Sequence, residues 1–350
     1  MTSGVEIRAM QNDESDLIAF RECFVRNGTA RRLDALRWQY PENPTGKILV
    51  ELAISEDRIA AIYAVQPAGV RVDGVRRFAA QSVDTLVDAD FRGRGLFTTM
   101  AESVYERVRQ DGGLFVYGFP NANSAPGFFR KLQWSSLDPV PFLVRPLRTA
   151  GLASRLPFGK LLGRLPDVRL PIWGPRLAEP LELRALAEIG PELDRLWDRF
   201  AAQVTVAVDR SSDYLRWRLS KPGESYECLG VFEGAELVGF CAYTTVDKHG
   251  GRIGYVVELL YEPTRHRVGA ALLAESLRRM AADRADMALA WCFSHSPNAR
   301  AYAKVGFVPL PERLRPIELH VGVRVLDESL RDVLTDQGNW YLSYCDSDTV

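Results

Sequence analysis

Paired cysteines are missing from this sequence. Cys23, Cys228, Cys241, Cys292 and Cys345 are scattered, odd in number and nowhere arranged as Cys-x-x-Cys. That spacing excludes a zinc ribbon and argues against a disulfide framework, so the five read as reduced core residues. The histidines, His249, His266, His295 and His320, are equally isolated, and no metal is predicted. Long apolar runs are lacking too, so no stable membrane insertion is expected. Met1 to Leu17 carries acidic residues where a secretory leader needs a basic segment and an apolar core, which predicts a cytoplasmic protein. Nor is there an excess of one charge: 44 Lys and Arg face 45 Asp and Glu, a net charge of −1. A near-neutral chain offers no broad field for nucleic acid, and no nucleic-acid partner is expected.

What is present is an ordinary globular composition, 47% hydrophobic and 25% charged, over 350 residues. That length suits two domains of about 150 residues each. An internal repeat supports the division. Leu36-Arg37-Trp38-Gln39-Tyr40, followed by Pro44 and Gly46, recurs as Leu215-Arg216-Trp217-Arg218-Leu219, followed by Pro222 and Gly223. Trp38 and Trp217 read as packing residues. An acidic turn and a second strand follow in each copy, at Ser55-Glu56-Asp57 and at Glu233-Gly234. Each copy then closes on a short helix and an aromatic, Phe129 to Trp134 and Tyr302 to Phe307. The expected domains are 1–147 and 179–350, joined by a Pro/Gly-rich basic linker over 148–178, in which Leu152 to Leu165 interleaves apolar and basic residues.

Periodicity in the first half predicts strand 5–10, helices 16–27 and 31–40, strands 47–55, 58–70 and 76–88, helix 95–111, strand 114–119, helix 124–132 and strand 140–146. The second half repeats this from about residue 180 and is expected to end on a helix near 327–335 and a strand near 339–345. The fold class is α/β (α+β mixed), each domain a mixed, mostly antiparallel sheet flanked by helices.

The strongest local signal is Asp88-Ala89-Asp90-Phe91-Arg92-Gly93-Arg94-Gly95-Leu96-Phe97, between a predicted strand and an amphipathic helix. Amides at a helix start point outward, and the helix dipole adds partial positive charge, so such a turn binds phosphate. Gly93 and Gly95 let the backbone approach a pyrophosphate, and Arg92 and Arg94 add charge.

With Gly118-Phe119-Pro120-Asn121-Ala122-Asn123-Ser124 and Phe129-x-Lys131-x-Gln133-Trp134 further on, the chain resembles the GNAT superfamily of N-acetyltransferases in a tandem form. The family fingerprint is Gln/Arg-x-x-Gly-x-Gly/Ala, then an asparagine-led strand end, then Tyr-x-Lys-x-Gly-Phe. The resemblance implies acetyl-CoA or another acyl-CoA as co-substrate, with no metal. It would be held by the backbone of Leu86 and Val87, by Arg92, Gly93, Arg94, Gly95, Leu96 and Phe97, and by Asn121, Asn123 and Phe129. It implies N-acyl transfer to a primary amine of a small molecule, of amino-sugar or amino-acid type, with room for a homodimer. Asp84 is the carboxylate placed to accept the amine proton, Gln81 could orient a water, and Tyr117 could act as acid, because Phe129 stands where the family has its tyrosine. Phe97 departs from the small residue that ends the family turn.

In the second half Tyr302 occupies the family tyrosine position, with Asn298 upstream. Its loop, Thr264-Arg265-His266-Arg267-Val268-Gly269, puts Arg267 in a glycine's place, so that copy is expected to have lost CoA binding. Tyr302 and Glu258 there read more readily as core than as chemistry. Two alternatives remain from the sequence: a non-catalytic acyl-CoA-binding or regulatory protein, and a Fem-like aminoacyl-tRNA-dependent transferase.

Overall fold

The computed structural model describes residues 4–149, 167–315, 317–347 and 349. The expected amphipathic segment Leu152 to Leu165 lies outside them. The first half runs β1 (Glu6–Ala9), α1 (Glu14–Arg26), α2 (Leu33–Gln39), β2 (Leu49–Ser55), β3 (Arg58–Val72), β4 (Val75–Val87), α3 (Leu96–Gln110), β5 (Gly113–Gly118), α4 (Ala125–Lys131), β6 (Ser135–Ser136) and β7 (Phe142–Pro146). The second half runs β8 (Leu181–Leu186), α5 (Glu192–Ala201), β9 (Val206–Val208), α6 (Ser212–Arg218), β10 (Glu227–Glu233), β11 (Glu236–Lys248), β12 (Gly251–Tyr261), α7 (His266–Ala282), β13 (Met287–Trp291), α8 (Ala299–Lys304) and β14 (Val308–Pro309). It closes with β15 (Gly322–Val325) and α9 (Arg331–Thr335).

Local chemistry explains the punctuation. Asp13 caps α1 by accepting the amide of Asp16 at 2.8 Å. Glu56-Asp57 and Asp73-Gly74 all have positive φ, as two-residue hairpin turns require. His249-Gly250 repeats the second of these turns in the other copy.

The chain forms two compact units. The first comprises Met1–Pro139, Lys221–Gly223 and Leu319–Asn339; the second comprises Val140–Ser220, Glu224–Glu318 and Trp340–Val350. The sheet of the first unit is ordered β1-β2-β3-β4-β5-β15-β6, and that of the second β14-β7-β13-β12-β11-β10-β8. Within these paths only β4–β5 and β12–β13 are parallel. Read along the sheets, β7 in the second unit stands where β15 stands in the first. The first sheet therefore includes β15 from the second half of the chain, and the second sheet includes β7 from the first half. This departs from a single cut after residue 147, because β7 finishes the second sheet while Leu319–Asn339 finishes the first. The described ends of the expected linker belong to the second unit, where Leu170 donates its amide to the Leu147 carbonyl at 2.9 Å.

The core of the first unit has two parts, one on each side of its sheet. Tyr63, Ala80, Met100, Val104, Val116, Phe128 and Trp134 pack on the α3 side, and Phe20, Leu36, Tyr40, Leu52 and Ile62 on the α1–α2 side. The helix expected near 327–335 is a 3₁₀ turn at Glu328–Leu330 followed by α9. The strand expected near 339–345 is instead two 3₁₀ turns, Gln337–Asn339 and Tyr344–Asp346, flanking an irregular stretch.

Candidate active site

In the first unit β4 and β5 run side by side only as far as Ser82 and Gly118. Beyond that point β4 continues to Val87, paired with β3 through Tyr63 and Thr85, Ile62 and Leu86, and Ala61 and Val87. Its other edge has no ladder partner among the described residues. Just beyond the point where the strands part, Val83 and Asp84 together oppose a single β3 residue, a bulge that re-aims the strand. Such an open edge can receive an extended ligand as an added strand.

The loop after β4 is anchored from below. Asp88 accepts Arg26 Nε at 2.8 Å, Asn27 Nδ2 at 3.2 Å and the amide of Asp90 at 3.2 Å. Burial alone would raise the Asp88 carboxyl, but these donors hold it below the usual carboxylate range. Phe91 is buried under the guanidinium groups of Arg58 and Arg94, 5.2 and 4.8 Å from its ring centre. Gly93 and Gly95 have φ of 79° and 77°, and Gly95 is the N-cap of α3. A Cβ at either would meet nothing within 4 Å, so the left-handed backbone, rather than crowding, requires glycine at both. The amides of Gly93, Arg94, Gly95, Leu96 and Phe97 make no backbone hydrogen bond among the described residues. The turn thus presents several donors at the positive end of a four-turn helix, next to the open strand edge. Arg92 Nε reaches the Val87 carbonyl at 3.3 Å and Arg94 Nη2 the Asp90 carbonyl at 3.1 Å, so both brace the loop from exposed positions.

Other expected cofactor residues act through packing or capping. Leu96 is buried in the core. Phe97 packs edge-on against Phe128 at 5.4 Å and against Tyr63 at 5.8 Å, and a Cβ on Gly127 would come within 3.0 Å of its ring. Asn121 Oδ1 accepts the amides of Asn123 and Ser124 at 3.0 and 3.1 Å, capping the approach to α4, and Asn123 is exposed. Phe129 lies over Gly322 of β15.

Gln81 and Tyr117 are opposite each other across β4 and β5, one residue before the strands separate, and Tyr117 donates to Gln81 Oε1 at 3.3 Å. Asp84 is buried and receives Arg31 Nη2 and the Tyr40 hydroxyl, each at 2.7 Å. A carboxylate held by a guanidinium and a phenol is a poor proton acceptor, so this geometry favours a strand-holding role for Asp84.

The second unit keeps the frame and loses the opening. Pairing of β12 with β13 stops at Tyr255 and Leu289, and Val257 bulges out before Glu258. Arg210, two residues before α6, bonds Glu258 at 2.5 Å, just as Arg31, two residues before α2, bonds Asp84. The loop after β12 is shorter: Glu262 to Arg265, where the first unit has Asp88 to Gly95. Arg265 caps α7 and pairs with Glu233 and Glu262, each at 2.6 Å. Arg267 therefore lies within the first turn of α7 and not at a glycine position of the bend, a register correction with the reason in the loop length. The chain's own Trp340–Ser347 fills the parted strands. Tyr341 Oη and Asn298 Nδ2 donate to the Leu259 carbonyl at 3.2 and 2.7 Å, and Tyr344 stacks on Trp291 at 4.6 Å. Tyr302 is sealed in this core, edge-on to Phe307 at 5.1 Å, and burial pushes its hydroxyl well above the usual range.

The sequence reading passed over one arrangement in the first unit. The segment leading into β15 places His320 against the end of β5, its amide donating to the Pro120 carbonyl at 2.9 Å, with its ring 2.6 Å from Asp138. The two residues are 182 positions apart, so no local motif announces them.

Comparison with known proteins agrees with this frame. Residues 6–137 match the acetyltransferase (GNAT) domain family and residues 193–307 the acetyltransferase (GNAT) family. No curated protein matches the sequence. Among solved structures, N-myristoyltransferase of Saccharomyces cerevisiae with bound myristoyl-CoA superposes with a TM-score of 0.60 at 12% identity, over 92% of this chain and 83% of that one. A GCN5-related N-acetyltransferase from Anabaena variabilis gives 0.62 at 11% identity, covering 92% and 72%. One from Kribbella flavida gives 0.61 at 17% identity, covering 93% and 73%. At such identities these likenesses speak for the fold. With both halves matched by the family, the chain belongs to the GNAT acyltransferases, in a tandem two-domain form.

Proposed function

We propose that the first unit binds acyl-CoA, acetyl-CoA foremost, and transfers the acyl group directly to a primary amine of a small molecule. The observation that carries this reading is the glycine bend at Arg92–Gly95, whose outward amides stand beside the unpaired edge of β4. The diphosphate is received by the bend with Arg92 and Arg94 at hand. Pantetheine adds to the strand edge at Thr85, Leu86 and Val87. A main-chain amide of that edge polarises the thioester carbonyl and steadies the tetrahedral oxyanion. The attacking amine must arrive without its proton, since an alkylammonium with a pKa near ~10 has no lone pair to offer at neutral pH. Gln81 and Tyr117, at the point where the strands part, order a water for that proton. The near-balanced charge of the chain favours a small acceptor over a polyanion.

Release of free thiol from acetyl-CoA with a panel of amines tests the reading. Turnover abolished by Gly95→Glu and retained in Arg267→Glu is the expected result, because only the first bend would meet the diphosphate. Thiol release indifferent to Gly95→Glu would defeat it. Phe129 in place of the family tyrosine favours a second reading, a binding protein without turnover. Calorimetric binding of acetyl-CoA with no thiol release from any amine would select that one.

A further inference from the structure

The family tyrosine is absent from α4, yet a different proton carrier stands beside the residue that replaces it. Phe129 occupies the tyrosine position, and its ring meets the His320 imidazole edge-on, with centroids 6.0 Å apart and planes at 78°. His320 is brought there by the residues entering β15. Leu319 bridges to Asn121, the His320 amide bonds the Pro120 carbonyl, and Gly322 opposes Gly118, the last β5 residue paired with β4. The imidazole therefore sits at the end of the sheet where the strands part, on the face that carries α4. Tyr117 belongs to the other face, in register with Gln81 and Val323.

The imidazole is also held in place. Its Nδ1 is 2.6 Å from Asp138 Oδ2, and Asp138 is itself fixed by the amide of Val321 on Oδ1 at 2.8 Å. The side chains of His320 and Asp138 are 30% and 32% exposed, so solvent reaches the pair. A carboxylate on Nδ1 fixes the ring and sets Nε2 on its opposite edge, an arrangement in which a histidine can serve as acid and base.

We propose that His320, fixed by Asp138, takes the part of the missing tyrosine in the acyl transfer proposed above, on which this inference rests. The amine nitrogen bonds to the thioester carbon, and the tetrahedral adduct collapses with cleavage of the C–S bond, whose electron pair goes to sulfur. The imidazolium delivers the Nε2 proton to that thiolate. The neutral ring then takes up, through solvent, the proton shed by the nitrogen that becomes the amide. The balance is acyl thioester plus amine to amide plus free coenzyme A thiol, with the imidazolium restored.

The test uses the full chain, acetyl-CoA and the best amine of the panel. His320→Gln lowers kcat about 10²-fold or more, the usual worth of a positioned proton donor, with the KM for acetyl-CoA within a factor of about three. It also removes the descending limb of kcat against pH in the imidazole range. Asp138→Asn lowers kcat less and moves that limb to lower pH, since removing an adjacent negative charge disfavours a cation. Phe129→Tyr introduced into the His320→Gln variant restores turnover at least about tenfold and places the limb toward the phenol range near ~10. Wild-type kcat and an unchanged pH profile in both His320→Gln and Asp138→Asn would overturn the proposal while leaving the acyltransferase reading intact. A wild-type protein that binds acetyl-CoA yet releases no thiol would remove both.

Discussion

At the scale of single residues, the two copies show what happened to one shared device. Arg31–Asp84 and Arg210–Glu258 occupy equivalent places, each tying the chain entering a helix to the bulge of the strand whose edge opens. The first pair reaches water only through its cation, Arg31 being 24% exposed over a buried Asp84, whereas Arg210 and Glu258 are both 0% exposed. Arg210 also holds Asp346 at 2.6 Å, so one cation serves two buried carboxylates. Arg210→Met leaves both acids uncompensated and should cost about 3–5 kcal/mol in urea unfolding. Arg31→Met should cost less, because only one carboxylate loses its cation and Asp84 keeps the Tyr40 hydroxyl as a donor at 2.7 Å. Equal losses would contradict that difference. Asp84 was legible as a carboxylate at a telling position. Its engagement by Arg31 and Tyr40, from a stretch of chain about fifty residues upstream, was not.

Among elements, what could be read from the sequence was whatever has local cause. Alternation, helical period and Gly- or Asp-bearing turns placed β1 to β5, β7 and α1 to α4 within a few residues, but not the two-residue β6. Leu319 to Val325 alternates as a strand should, but its partner β5 lies some two hundred positions earlier and no local rule points there. The stretch from Trp340 to Cys345 was misread as a strand because it is aromatic-rich. All six of its residues are buried, and a run without a polar face gives no period from which to tell strand from irregular chain. Missing β15 concealed both the composition of the first sheet and the setting of His320. A fragment of residues 1–147 lacks that strand and leaves the edge of β5 bare, as well as leaving β7 without its sheet. It should show no cooperative melting transition by circular dichroism where the full chain shows one. A sharp, reversible melt of the fragment would contradict the exchange.

For the molecule as a whole, the two copies differ at the bend and at the parted strands. The first copy keeps the long bend and the open edge. The second has a bend four residues shorter and is closed by its own C-terminal segment. Calorimetry with acetyl-CoA should therefore give one equivalent bound per chain, and two equivalents would show that the second cleft opens. The sequence put Arg267 at a glycine's place in the second bend, whereas that bend is four residues shorter and Arg267 already lies in α7. The plug was not readable from the sequence, since Trp340, Tyr341 and Tyr344 reveal their place only when the strands they cover are known. One further consequence follows from β15. Because Leu319–Asn339 completes the amino-terminal sheet, a ribosome must translate some two hundred residues beyond β5 before that sheet can close. If His320 is the proton carrier, it is made equally late relative to the strand beside which it acts. Translation products that stop short of β15 would then be born inert, and acylating capacity would appear only in chains that extend past it.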